Sequence, residues 1–177
     1  MRLYHFSEDP AIKTFAPRPV AVPSPRPAGH DWLNGPLVWA IEQAWQALYL
    51  FPRDCPRILL RRRPGSSAAD VEAYWGAGDW SMIAHMEWAW YDRFRAAALY
   101  RYELPAQAFE ALNDAGMWVS RAEVRPVRVD VIDDLAAALR AEDVDLRLME
   151  RLTPLRSVWE TSLHASGVRL RNATGWE

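Results

Sequence analysis

Apolar and polar residues alternate in short runs along most of this chain, a period of two that marks half-buried strands. The first run, Arg2-Leu3-Tyr4-His5-Phe6-Ser7, predicts a strand over 2–7, and Ser7 with Pro10 predicts a brief capped helical turn behind it. Six prolines between Pro17 and Pro36 then rule out regular structure, so 16–36 reads as a loop or a flap over a site. Strands are expected over 36–41 and 57–60, with a short helical turn around 42–47 between them. From Asp79 to Ala98 no proline or glycine interrupts the chain, and Met82, Ile83, Met86, Ala89, Trp90, Phe94 and Ala97 recur at helical spacing. One long helix is predicted there, with Arg93 near the middle of its apolar stripe. Strands follow over 99–104, 117–120 and 124–132, then a helix over 133–140 capped by Asp133, and an edge strand over 145–149. A last helix is expected over 154–164, with Gly167 as its C-terminal cap. Short, mostly antiparallel strands in a split sheet with helices packed alongside define an α+β fold rather than a βαβ ladder.

Length and charge narrow the picture further. At 177 residues, half of them apolar, the chain reads as a single domain over 1–177, able to bury roughly two-thirds of its unfolded surface. Twenty-one basic and 23 acidic residues leave a net charge of −2, so no nucleic-acid footprint and no membrane surface field is written into the composition. The start lacks the apolar core of a signal peptide and no long apolar run follows, which together predict a cytoplasmic protein. Cys55 is the only cysteine, and Arg53 and Arg57 beside it offer to lower its thiol pKa, against the simpler reading of a structural cysteine in a turn. Ten tryptophans supply flat rigid surfaces suited to a core or to a nucleobase or nicotinamide pocket.

Several familiar chemistries are missing: there is no glycine-rich phosphate loop, no nucleophile elbow and no zinc-ligand spacing among His5, His30, His85 and His164. No metal is expected. What remains is a set of residues in a particular order: His5 on the first strand, Tyr49 about ten residues after Val38-Trp39-Ala40-Ile41, the alternating Tyr100–Leu104 run, and Gly116-Met117-Trp118-Val119-Ser120. A second group, Thr161 to Asn172, holds His164, Arg169 and Arg171, donors suited to a phosphate or equally to a solvated basic tail. His5 also reads as a core histidine bonded to a backbone carbonyl, Tyr49 as packing, and Met117 as core.

Over its full length the chain resembles an uncharacterised bacterial family opening with Leu3-Tyr4-His5-Phe6-Ser7-Glu8-Asp9-Pro10. The order of the short motifs also resembles the ADP-ribosyltransferase-like fold, including rifampin ADP-ribosyltransferases and RNA 2'-phosphotransferases. That resemblance implies NAD as the ligand, with His5 on the adenosine ribose and Tyr49 stacked on nicotinamide. Arg18 would place a guanidinium on the diphosphate. The acid that orients the nicotinamide ribose falls on Met117, a thioether that cannot stabilise an oxocarbenium-like centre, unless Asp114 or Glu123 substitutes.

Two classes of function follow. The first is an ADP-ribosyltransferase-like domain binding NAD or a related nucleotide, its catalysis compromised at Met117. The second is a non-catalytic module that binds a small molecule or a protein through tryptophan-rich surface, and an RNA 2'-phosphotransferase is a third reading.

Overall fold

Alternation along β1 (Leu3–Ser7), β2 (Val38–Glu42) and β5 (Leu99–Leu104) sends Leu3, Val38, Ala40, Tyr102 and Leu104 to one face of a sheet, where Phe15, Phe109 and Val124 cover them. This computed structural model describes residues 1–177. The chain divides into two compact units, Met1–Gln46 with Tyr100–Val131, and Ala47–Leu99 with Ile132–Glu177. The secondary structure is α+β, with mixed but mainly antiparallel sheets and three short helices.

The first unit is built on a six-stranded sheet. With β6 (Glu110–Ala111), β7 (Met117–Ser120) and β8 (Arg128–Ile132), its strand order is β6-β7-β2-β1-β5-β8. The register aligns Tyr4 with Ile41 and Ile41 with Met117, while His5 lies opposite Tyr102. A buried phenol needs partners for its hydroxyl, and Tyr102 donates to the Asp9 carbonyl at 2.7 Å while accepting from the Ile12 amide at 3.2 Å. These bonds fasten the segment after β1 as a turn rather than the expected helical one. Within it Asp9 N donates to Ser7 Oγ and Ala11 N to Asp9 Oδ1. The proline-rich segment is tied at its ends by the Arg18–Leu37 bridge and carries one 3-10 turn, Asp31–Asn34. The expected 124–132 strand is interrupted at Pro126, so Val124 pairs alone with Phe15 and β8 begins only at Arg128.

The second unit holds a four-stranded sheet of β3 (Arg57–Arg61), β4 (Met82–Glu87), β9 (Val144–Met149) and β10 (His164–Val168), in the order β10-β3-β4-β9. All pairs are antiparallel except β4 with β9. Here the long helix expected over 79–98 is absent. Met82–Glu87 is instead a central strand whose six residues are all buried, and only Tyr91–Ala96 (α2) is α-helical. A strand covered on both faces loses its alternation, so the apolar spacing of Met82, Ile83 and Met86 matches a helical face by chance. Arg93 accordingly sits on an exposed turn of α2, its guanidinium 5.3 Å from the Trp90 ring centroid, rather than inside an apolar stripe.

Two further helices and one strand complete the corrections. Ala68–Trp75 (α1) forms where no helix was expected, with the Ser67 hydroxyl accepting from Asp70 N at 3.1 Å and Gly76 closing it at φ 57°. Leu135–Ala141 (α3) is capped by Asp134 rather than Asp133. The last predicted helix is a 3-10 segment over Thr153–Glu160, and His164 starts a strand. Gly167 is therefore not a cap. It stands inside β10, where a Cβ would come within 2.5 Å of Leu170 Cδ1 and 3.0 Å of Trp159 Cζ2.

Candidate functional site

The end of the second sheet where β3 begins and β10 ends brings several arginines near one another. Its foundation is the turn before β3, in which Cys55 N bonds the Pro52 carbonyl at 3.0 Å and directs the chain into the strand. Arg57 is 3 % exposed. Its Nε donates to the Leu48 carbonyl and its Nη1 to the Cys55 carbonyl, both at 2.9 Å, and the guanidinium stands 5.5 Å from the Phe51 ring centroid. Burial pushes its pKa down to about 10, so it remains a cation at neutral pH although both hydrogen-bond partners are neutral carbonyls.

Arg57 pairs with Val168, and the next residue, Arg169, turns out of β10 in the left-handed region at φ 57°. That turn carries its side chain to the 53–54 loop, where Nε donates to the Arg53 carbonyl at 3.3 Å and lies 3.8 Å from the Asp54 carboxylate. Burial lowers the Arg169 pKa, and the charges of Arg171 and Arg53 lower it further. Asn172 holds the same loop by donating to the Asp54 carbonyl at 2.8 Å. Tyr49 ends the 3-10 helix Gln43–Tyr49, next to the carbonyl that Arg57 grips, and lies within electrostatic reach of Arg57. Arg169 thus stands beside one carboxylate, with the charges of Arg53, Arg57 and Arg171 within electrostatic reach of it.

Cys55 lies in this corner but is not the activated thiol that its two arginines suggest. It is fully buried, and desolvation outweighs Arg57 and Arg93, pushing the thiol up to about 12. It remains protonated and its Sγ contacts only the Pro56 carbonyl, at 3.6 Å.

The remaining sequence-derived residues are distributed as follows. Tyr49, Arg169, Arg171 and His164 belong to the second unit; His5, Arg18, Asp114, Met117 and Glu123 belong to the first. His164 lies opposite Arg61, four residues before Val168, so roughly 13 Å of strand separates it from the arginine corner. His5 is half-buried, with Nδ1 2.9 Å from the Trp39 carbonyl and its ring 4.7 Å from that of Phe15. A carbonyl partner requires Nδ1 to carry the proton. Because opposed residues share a face, the register puts Met117 on the Tyr4–Ile41 face and His5 on the other. Asp114 and Glu123 are exposed. Asp114 accepts the Met117 amide through its backbone carbonyl, in a turn where a Cβ on Gly116 (φ 71°) would come 2.2 Å from Trp45 Cδ1. Arg18 is exposed and bonds Leu37 through its backbone.

Two residues were missed. Glu42 shares the His5 face and accepts the Trp118 indole N–H at 2.7 Å, and the step from Val38 to Ala40 to Glu42 was its signal. Arg57 had none, because a buried arginine at a strand start looks like any strand-flanking cation.

No group of three or more His, Cys, Asp or Glu side chains is arranged to hold a metal ion, and no helix is long and apolar enough to cross a membrane. The architecture is that of an α+β protein with a group of arginines at one sheet end. The chain belongs to DUF6886, a family of unknown function that matches residues 4–173. No curated protein and no solved structure matches it.

Proposed function

We propose that this protein binds a phosphate-bearing nucleotide, NAD or a relative, at the arginine corner of its second unit. The observation that carries the reading is that Arg53, Arg57 and Arg171 lie within electrostatic reach of Arg169, which is paired with Asp54. Guanidinium forks match phosphate oxygens in pairs; the Arg53 carbonyl fixes the orientation of Arg169 before a ligand arrives, and the buried Arg57 adds its positive charge from behind. Tyr49 offers an aromatic face for the nicotinamide or the adenine. The resemblance to ADP-ribosyltransferases supports the same ligand class through Tyr49. It gives less support to transfer chemistry, because Met117 supplies no charge and lies on the opposite sheet face from His5. The protein is accordingly read as a binding module.

Titration calorimetry with NAD, ADP-ribose and inorganic phosphate tests this. Wild type should bind NAD and ADP-ribose, and Arg169→Ala should weaken both by about tenfold or more, the loss expected for one charge-assisted contact. Absence of heat with either nucleotide at about 1 mM, or equal affinity in Arg169→Ala, overturns the proposal.

A further inference from the structure

The six-stranded sheet ends on one side at β8, an edge strand, and edges that stay open are usually blunted. This one presents Val127, Val129 and Val131, which are 64, 46 and 62 % exposed. The Val127 amide donates to the Glu103 carbonyl of β5 at 2.9 Å. By alternation the amides of Arg128 and Asp130 turn the other way, toward the open edge.

We propose that β8 pairs antiparallel with β8 of a second copy of this chain, about a two-fold axis at Val129. Even-numbered residues carry the outward amides, so the strand can meet its copy with Arg128 opposite Asp130, with Asp130 opposite Asp130, or with Arg128 opposite Arg128. The last two set like charges face to face. The first matches each Arg128 with an Asp130 of the other copy, and it alone is favoured by charge. In that register Val129 meets Val129 as a non-hydrogen-bonded pair with Cα atoms about 4.5 Å apart, and Val127 meets Val131 on either side. The exposed valines are then covered by one another. Asp130 already receives Arg101 at 3.0 Å and Arg128 at 2.6 Å, so its carboxylate is held in place for the second copy. One short strand buries less than a standard interface, which makes the association reversible, with a dissociation constant on the order of 10–100 µM.

Sedimentation velocity from about 5 to 200 µM reads the equilibrium directly. Val129→Lys and Arg128→Glu, both at exposed side chains, should each remain folded by circular dichroism and weaken the dimer by about tenfold or more. Arg128→Glu mixed with Asp130→Arg should restore it as a heterodimer, because every cross-strand pair is again of opposite charge. Wild type that stays monomeric throughout overturns the proposal and leaves the edge to a strand from a different protein. A dimer indifferent to both substitutions overturns it as well, by placing the interface elsewhere.

Discussion

Two buried charges stand at one end of the four-stranded sheet, on opposite faces, and the protein answers them in opposite ways. Arg57 lies across from Met86, so Glu87, one residue further along β4, projects to the other side. Glu87 is 1 % exposed, and its carboxylate accepts the Leu152 amide at 3.1 Å, the Thr174 amide at 2.9 and 3.1 Å, and the Thr174 hydroxyl at 3.1 Å. It sews the segment before the 3-10 helix Thr153–Glu160 and the C-terminal tail onto the sheet. Arg57 is as deeply buried, yet its Nε and Nη1 donate to neutral carbonyls, and Arg169 and Asp54 act on it with opposite sign from further off. Both charges have hydrogen-bond partners from within; the difference is that Glu87 ties two segments to the sheet, whereas Arg57 meets only neutral carbonyls and keeps a net positive charge that favours an anion nearby.

Removing Glu87 should have the larger effect on stability. Glu87→Ala strands the Leu152 amide, at a fully buried position, together with both Thr174 donors. Stranded donors of this kind cost on the order of 3 kcal/mol, read as a fall in unfolding free energy in urea. Glu87→Gln keeps one acceptor and should cost about half as much. A loss below about 1 kcal/mol in Glu87→Ala would show that the tail is held by other contacts.

His85, on the same face as Glu87, sharpens the contrast, because it is a titratable group that the fold keeps neutral. It is 4 % exposed, its Nδ1 has no hydrogen-bond partner, and burial assisted by the Arg147 charge pushes its pKa from 6.5 down to about 4. The unfolded chain takes up this proton near pH 6.5 and the folded one only near pH 4. Stability is therefore complete above pH 6.5 and falls as pH drops toward 4, by about 3 kcal/mol over that window. Asp70 and Asp143, whose carboxyls are held below the usual 3.8 by Ser162 and Ser81, lose their contributions only at lower pH still. Urea midpoints at about pH 7 and 4.5 should differ in wild type and much less in His85→Leu. An unchanged slope in His85→Leu would assign the titration to another group.

How much of this was legible follows the period of each segment. β1, β2, β5 and β7 have one buried face, so a two-residue alternation announced them close to their observed limits. β4 lost its alternation to burial on both faces, and α1 is too short for a helical stripe to show, although Trp75, Val71 and Tyr74 pack it onto the core. Among site residues, Tyr49, Arg169 and Arg171 share a neighbourhood because Val168 lies opposite Arg57, a pairing across more than a hundred residues that no local pattern carries. His5 was visible as a histidine in an apolar strand, but its bond to the Trp39 carbonyl depends on the β1–β2 register.

A smaller effect separates ring from charge within the arginine corner. Tyr49→Ala should weaken NAD by about 0.5–1.5 kcal/mol, the range of an aromatic contact, and should leave the salt dependence of binding unchanged. Arg169→Ala should reduce that dependence, since it removes a charge. Should Tyr49→Ala alter the salt slope instead, the ring would be acting through Arg57 and not on the ligand.

The smallest expected effect is none, and it decides whether chemistry belongs to the first unit at all. Restoring a carboxylate at the position that the ADP-ribosyltransferase resemblance assigns to its acid would normally return about 2.7–4 kcal/mol of transition-state stabilisation, a hundredfold or more in rate. That return requires the carboxylate to stand where positive charge develops. In this sheet residue 117 shares its face with Tyr4 and Ile41, whereas His5 faces Tyr102, so a glutamate there points away from the ribose that His5 would hold. Met117→Glu should therefore release no more nicotinamide from NAD than wild type when both are followed by chromatography at equal concentration. A hundredfold rise would mean that the two faces cooperate on one substrate. In that event Glu42, which already shares the His5 face and holds the Trp118 indole, becomes the carboxylate to substitute next.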